Sequence, residues 1–262
     1  MRLTNKIVLV TGGSTGLGEA ICYEAAKQGA IVIVSARRME LIQKVKDRCQ
    51  VLSQKEAYAF PVDLESADSI KTLIQSIKET VGVVDIVVNN AGFGIFEDFI
   101  DFDLEKARKM FEVNLFGMMY LTQALAIDML PHQKGHFINI ASMAGKMATP
   151  KSTVYSATKF AVIGFSNALR LELKPFNIYV TTVNPGPIQT NFFDIADPTG
   201  DYLSTINHFV LDPQKLAKEI VKSMNTPKRE INRPHIMSAA AHFYQLFPRL
   251  GDYLAGGIFN KK

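Results

Sequence analysis

The sequence predicts one α/β domain, a doubly wound parallel sheet with helices on both faces. Three observations in the 262 residues lead there. Short β-branched runs alternate with longer helical stretches, the rhythm of strand–helix–strand units with right-handed crossovers. The runs are apolar on both faces, as strands covered from both sides are. A glycine-rich turn joins the first run to the first helix.

The elements follow in order. KIVLVT (6–11) is basic and then apolar, but it is short and leads straight into glycine, so it reads as a strand and not a leader peptide. EAICYEAAKQ has helical periodicity and a charged outer face, with Gly29 placed to end it. AIVIVSA (30–36) is the second strand and MELIQKVKDRCQVLSQ the second helix. A weaker strand covers 58–62. Asp63 and Ser66 both stand where an N-cap for the next helix, SADSIKTLIQSIKETV, belongs. DIVVNNA (85–91), a long helix bearing Asn114, GHFINIA (135–141), the helix STVYSATKFAVIGFSNALRLEL and NIYVTTVN (177–184) bring the strands to six. From 185 to about 211 the sequence is mixed and rich in Pro and Gly. A loop of that length is usually functional, and about 187–211 is read as a substrate lid. The helix LDPQKLAKEIVKSM follows. An apolar, aromatic extension covers about 235–262, interrupted by Pro248 and Gly251. It is expected to pack on its own domain or a twin, because apolar tails seldom bind lipid without a basic face.

Composition removes several classes. Hydrophobic residues are 47% and charged residues 21%, the balance of a globular protein with its own core. The net charge of +4 is mild and the basic residues are scattered, so no nucleic-acid footprint is expected. No apolar run reaches the ~18–20 residues of a membrane span. Cys22 and Cys49 are too few for a disulfide framework and lack zinc spacing, so the expected setting is a reducing cytoplasm. His132 and His136 are four apart, but Pro131 and Gly135 make that stretch a turn. His208, His235 and His242 have no spaced carboxylates, and no metal is expected.

The turn Thr11-Gly12-Gly13-Ser14-Thr15-Gly16-Leu17-Gly18 has the spacing TGxxxGxG. A pyrophosphate must come close to a helix N-terminus, where unsatisfied N–H groups point at it, and side chains would block the approach. The P-loop form GxxxxGK[ST] is absent, which argues against an NTPase. An NAD-selective fold ends its second strand in Asp or Glu. Here that strand ends Ser35-Ala36-Arg37-Arg38, and guanidinium suits a 2′-phosphate. NADP(H) is therefore expected in preference to NAD(H).

Tyr155 and Lys159 are one turn apart on one helix face. With eight tyrosines and twenty lysines, about 0.6 YxxxK matches would arise by chance, and a second match, Tyr23 with Lys27, does occur. Context separates them. Ser142 follows a strand at the carboxyl edge of the sheet, where open α/β folds hold ligands. Asn114 and Asn90-Ala91-Gly92 converge on the same edge.

On these residues the chain resembles the short-chain dehydrogenase/reductase family over essentially its whole length. The matches are the turn from Thr11 to Gly18, Asp63 after the third strand, NNAG (89–92), Asn114, Ser142, Tyr155, Lys159, and Pro185-Gly186 with Ile188 and Thr190. The resemblance implies a single NAD(P)-binding Rossmann domain over 1–262. It implies Tyr155 as general acid/base, Lys159 as holder of the nicotinamide ribose that lowers the tyrosine pKa, Ser142 as orienter of the substrate oxygen and Asn114 as support for a proton-relaying water. Cofactor contacts are implied at Gly12, Ser14, Thr15, Gly16, Leu17, Gly18, Arg37, Arg38, Asp63, Leu64, Asn90, Ala91, Gly92, Tyr155, Lys159, Pro185, Gly186, Ile188 and Thr190. Substrate contacts are implied at Phe93, Ser142, Met143 and Tyr155. The chemistry agrees. Carbonyl reduction needs a proton on oxygen, and a tyrosine near pKa 10 must come down by ~3 units, or ~4 kcal/mol, to serve at neutral pH.

Loops rich in Phe, Met and Ile point to an apolar carbonyl or secondary alcohol as substrate. A 3-oxoacyl-thioester reductase is an alternative, although Phe176 stands where such relatives commonly carry a basic residue. A non-enzymatic nucleotide-binding regulator is another, although such relatives usually lack the tyrosine or lysine. The resemblance also implies a homodimer or homotetramer, and Phe116, Met119, Tyr120, Phe160 and Phe165 supply apolar outer faces for it.

Overall fold

The computed structural model describes residues 1–197 and 210–258. Seven parallel strands form one sheet in the order β3-β2-β1-β4-β5-β6-β7. They are β1 (Ile7–Thr11), β2 (Ile31–Ala36), β3 (Ala57–Pro61), β4 (Ile86–Asn89), β5 (Gly135–Ile140), β6 (Ile178–Pro185) and β7 (Glu230–Arg233). The order reverses between β1 and β4, which opens a crevice at the carboxyl edge. Six strands stand where the sequence placed them. The seventh, EINR, was not foreseen: it is four residues long with one buried apolar side chain, too short for a periodicity signal.

The described helices are α1 (Gly16–Lys27), α2 (Met39–Ser53), α3 (Ala67–Thr80), α4 (Leu104–Phe111), α5 (Gly117–Met129), α6 (Thr153–Leu173), α7 (Phe192–Ala196), α8 (Pro213–Ser223), α9 (His235–Leu246) and α10 (Pro248–Ile258). Alternation along each strand builds two cores. Val8, Val10, Val32, Val34 and Val88 pack under α1, α2 and α8. Leu9, Ile33, Val87 and Phe137 pack under α3, α5 and α6. Each such fully buried side chain contributes ~1.5–3 kcal/mol. Gly29 follows α1 with φ +85°, and the bonds Gly29 N→Ala26 O and Ala30 N→Ala25 O close the helix end. Of the two candidate caps for α3, Ser66 is the one used, accepting from Ser69 N. Asp63 instead accepts from Glu65 N in its own turn.

The helical run Leu104–His132 is long and apolar enough, by length and composition, to cross a membrane. No apolar run of that length was expected. Half of its most apolar stretch is buried, and Leu121, Leu125 and Met129 lie beneath the sheet, so it packs as a core helix. Between the strands of the second core runs a buried polar chain. Asn89 Nδ2 donates to Thr122 Oγ1 at 3.0 Å and to Asn139 Oδ1 at 2.9 Å, and Asn139 Nδ2 donates to Ser166 Oγ at 2.9 Å. At the opposite edge His136 is buried. Its Nδ1 accepts from Asn225 N, so Nε2 carries the hydrogen and meets Thr181 Oγ1 at 2.8 Å. Burial pulls its pKa down to about 3.

Two expectations are corrected. The lid region is not all loop, because α7 stands in it; residues 198–209 of the lid, His208 among them, lie outside the described residues. Phe165 is half-buried against the cluster of Leu115, Met118, Ala141 and Val162, whereas Phe116, Met119, Tyr120 and Phe160 are exposed. The C-terminal extension, expected to pack on its own domain or a twin, meets its own domain where Met237 packs over Gly186 and leaves most of α9 outside it. Of α9, only Ala241 is buried, and Ile236, Phe243 and Leu246 are exposed.

Candidate active site

The glycine turn lies at the β1–α1 junction. Gly12 has φ +63°, and a Cβ there would come within 2.8 Å of Ala91 Cα. Only glycine takes that conformation cheaply and lets the β4 loop approach so closely. At Gly18 a Cβ would fall 2.2 Å from Gly12 O, so the first turn of α1 folds directly onto the loop. Asn90 ties the two segments together: its Nδ2 donates to Thr11 O at 3.0 Å and Gly12 O at 3.1 Å. Thr15, the N-cap of α1, makes no side-chain cap bond, which leaves the N–H groups of that helix end directed at the crevice. Ser14 is half-buried, Thr15 exposed and Leu17 buried. Thr190 closes the cradle from the far side, with Cγ2 3.1 Å from a Cβ position on Gly16.

Arg37 and Arg38 are exposed beyond β2, and neither makes an ion pair among the described residues. Asp63 is half-buried after β3. Leu64 is buried, and Gly117 lets α5 pass against its carbonyl, where a Cβ would sit 2.4 Å away.

Asn114 occupies a π turn, Glu112–Phe116, between α4 and α5. Such turns break helix periodicity and re-aim a side chain. Its Oδ1 accepts from Phe93 N at 2.9 Å. Its Nδ2 donates to Phe93 O at 2.9 Å and to Thr158 Oγ1 at 3.1 Å. One amide thus fastens the loop after β4 to α6. Thr158 in turn donates to Tyr155 O at 2.8 Å.

Tyr155 and Lys159 stand in the first two turns of α6, facing the carboxyl end of β5. Tyr155 is 7% exposed and Lys159 5%. Lys159 Nζ donates to Ile140 O at 3.0 Å and lies 5.7 Å from the centroid of the Tyr155 ring. It makes no ion pair among the described residues, and burial lowers its pKa to about 8. Gly92 backs this corner, with Asn114 Oδ1 2.9 Å and Lys159 Nζ 3.4 Å from a Cβ position on it. Ser142 Oγ reaches Pro185 O at 3.4 Å and accepts from Ala144 N at 3.1 Å, capping the short turn Met143–Gly145. Met143 is buried. Gly186 N donates to Arg233 O, and Ile188 bridges Leu211.

The sequence placed Phe93, Phe96 and Met143 beside the site but missed what α7 does. Phe192 lies 5.7 Å from the Tyr155 ring, Phe96 meets the same ring edge-on at 5.7 Å, and Phe193 meets Phe192 edge-on at 5.3 Å and Phe96 at a tilt. Phe96 N donates to Ala196 O, which holds α7 down. The sequence also missed the ion pair Lys146–Glu230 at 2.6 Å, which ties the loop after Ser142 to β7. No spacing rule connects residues so far apart in the chain. The predicted residues from the glycine turn, NNAG, Asn114, Ser142, Tyr155, Lys159 and the segment 185–190 all meet at one edge. Arg37, Arg38 and Asp63 flank it.

The sheet order, with its reversal at β1 and β4, is that of the Rossmann class. Within that class the chain belongs to the short-chain dehydrogenase family, whose model matches residues 6–199, and it is an oxidoreductase of that family. An uncharacterized oxidoreductase of Staphylococcus aureus (strain USA300) is 34% identical over 226 residues, 86% of this chain and 94% of that protein. Dehydrogenase/reductase SDR family member 7 of Homo sapiens is 34% identical over 196 residues, 73% of this chain and 58% of that protein. Among solved structures, the closed form of serine dehydrogenase complexed with NADP+ has a TM-score of 0.77 at 30% identity, covering 86% of this chain and 94% of that one.

Proposed function

We propose that the chain is an NADP(H)-dependent oxidoreductase interconverting an apolar ketone or aldehyde with its secondary alcohol, with Tyr155 as general acid/base. The observation that carries this reading is Lys159. A buried ammonium with no carboxylate is costly, and a protein keeps one where the charge has work to do. Here it faces a buried phenol.

The residues suit a dinucleotide. The glycine turn leaves room at an uncapped helix end, and Thr190 stands opposite. Gly12, Ser14, Thr15, Gly16, Leu17 and Gly18 would hold its phosphates. Asp63 and Leu64 would flank its adenine. Asn90, Ala91, Gly92, Lys159, Pro185, Gly186, Ile188 and Thr190 would hold its nicotinamide half. Exposed Arg37 and Arg38 would meet a 2′-phosphate, and the serine dehydrogenase relative, complexed with NADP+, supports that choice. When bound, the nicotinamide supplies or accepts the hydride.

The chain does the rest. Ser142 orients the substrate oxygen, and Tyr155 gives it a proton in reduction or takes one in oxidation. The Lys159 ammonium favours the phenolate, which eases both directions. Asn114 has both amide hydrogens spent on Phe93 and Thr158, so it would hold a relay water through an acceptor lone pair. Phe93, Phe96 and Phe192 give the pocket its apolar wall and exclude water from the phenol, with Met143 buried next to Ser142.

The same reading covers the whole of 1–262 as one dinucleotide-binding domain with its lid at about 187–211. It makes the protein a cytoplasmic homodimer or homotetramer joined through the exposed faces of α5 and α6. The test follows NADPH oxidation against a panel of carbonyl compounds. Turnover is expected with apolar ketones. Arg37→Asp should weaken NADPH by about tenfold to hundredfold and NADH little; equal effects on both remove the phosphate contact.

A further inference from the structure

We propose that Lys146 and Glu230 are a positioning pair: their ion pair anchors to β7 the turn that aims Ser142, and so sets where the substrate oxygen lies. The proposal rests on the reading of Ser142 as the orienter of that oxygen. Three observations carry it.

The first is how little else aims the hydroxyl. Ser142 Oγ reaches Pro185 O only at 3.4 Å, near the far limit of a hydrogen bond. Its shorter contact, from Ala144 N at 3.1 Å, lies inside its own turn. The hydroxyl therefore goes where the turn Met143–Gly145 goes. That turn is closed by Gly145 N→Ser142 O at 3.0 Å and Lys146 N→Met143 O at 2.9 Å. It lies flat on α6, where a Cβ on Gly145 would fall 2.6 Å from Lys159 O. This packing sets the height of the turn over α6. The Lys146 side chain holds its exit.

The second is the quality of that hold. Lys146 Nζ meets Glu230 Oε2 at 2.6 Å, with the side chains 12% and 18% exposed. No other ion pair among the described residues has both partners under a fifth exposed. Exposed pairs are loose and screened. Parting a sheltered pair strands a charge away from water, so the pair keeps one geometry.

The third is what Glu230 stands on. Asn232 Nδ2 donates to the same Oε2 at 3.2 Å, and Asn184 Nδ2 donates to Asn232 Oδ1 at 2.7 Å. The network thus runs from the Ser142 turn across β7 to the end of β6, one residue before Pro185-Gly186. On the same strand Arg233 O accepts from Gly186 N at 2.6 Å. β7 has its place in the sheet through backbone pairing with β6 and does not need Lys146 for it. The ion pair serves the loop.

The full chain is compared as wild type, Lys146→Met, Lys146→Arg, Glu230→Gln and Ser142→Ala. The first readout is hydrogen exchange, which needs no substrate. In Lys146→Met the amides of 144–147 should exchange at least about tenfold faster, with those of β1 and α1 unchanged. The second readout is NADPH oxidation with the carbonyl panel. Lys146→Met should lower kcat about tenfold and move KM by less than about threefold, as a misaimed group does and a loss of folded protein does not. Glu230→Gln, of nearly the same shape, should lower kcat about threefold, and Lys146→Arg should keep it within about twofold of wild type. Added to Ser142→Ala, Lys146→Met should cost less than about twofold more, because the group it aims is gone. Unchanged exchange overturns the proposal, and so does full additivity with Ser142→Ala. Turnover undiminished in Ser142→Ala, or absent from wild type, instead overturns the reading of the site, and the proposal falls with it.

Discussion

The chain contains the pattern YxxxK twice, and the two copies live in opposite surroundings. Tyr23 and Lys27 ride on the outer side of α1. Tyr23 OH donates to Glu19 Oε1 at 2.8 Å, and burial with that carboxylate pushes its pKa up. Lys27 is 48% exposed and lies 3.8 Å from Glu24. Tyr155 and Lys159 share one buried corner with no acid beside the lysine, whose pKa falls to about 8. Spacing sets which side chains are neighbours. Only the surroundings decide whether the phenol meets a carboxylate, as Tyr23 does, or a buried ammonium, as Tyr155 does.

The sharpest way to break this contrast is to remove one hydroxyl from each copy. Tyr155→Phe should cut carbonyl-dependent NADPH oxidation by about 10²–10⁴-fold, the range of a lost general acid. Tyr23→Phe should stay within about twofold, as surface changes do. Comparable losses in the two variants would dissolve the distinction.

Methionine in place of each lysine comes next. Lys159→Met should lose turnover yet gain stability of about 2 kcal/mol at pH 7. Depression from 10.5 to about 8 costs about 3 kcal/mol, and the lost bond to Ile140 O returns about 1. Lys27→Met should move stability by less than about 0.5 kcal/mol. The pH dependence has a definite sign. Between about 8 and 10.5 the unfolded chain holds a proton on Lys159 that the folded chain has released, so wild-type stability rises with pH in that window. Urea unfolding across it should show the rise in wild type and its loss in Lys159→Met.

Asn114→Ala removes the clasp that encloses the inner pair. It strands Phe93 N–H and C=O and should cost about 1–3 kcal/mol. Thermal unfolding measures this, and the outer pair has no counterpart. The smallest effect belongs to the outer pair itself. Glu19→Gln should bring the Tyr23 pKa back toward its ordinary value, read by ultraviolet titration, with turnover unchanged.

Six strands were legible because β-branched runs such as IVIVSA are covered on both faces and so lack polar interruptions. β7 was not, since its pairing with β6 and not its composition makes it a strand. The site was legible where backbone conformation restricts residue type, as at Gly12, or where strand ends converge, as at Asn90 and Ser142. What remained hidden depends on contact between distant segments. Phe192 against Tyr155, Glu230 against Lys146 and the chain from Thr122 to Ser166 carry no periodic signature. The cap of α3 was ambiguous for a local reason: Asp63 and Ser66 can each serve a turn, and here both do.

The Asn114 amide treats Phe93 as a neighbouring strand would, offering one donor and one acceptor to the same residue. It thereby extends the β4 edge by one rung without any partner backbone. Everything from Gly94 to Phe102 hangs beyond that rung. Phe96 within it packs on Tyr155 and holds α7, so a graft meant to change selectivity and leave the floor of the site where it is belongs at the exposed residues 99–101.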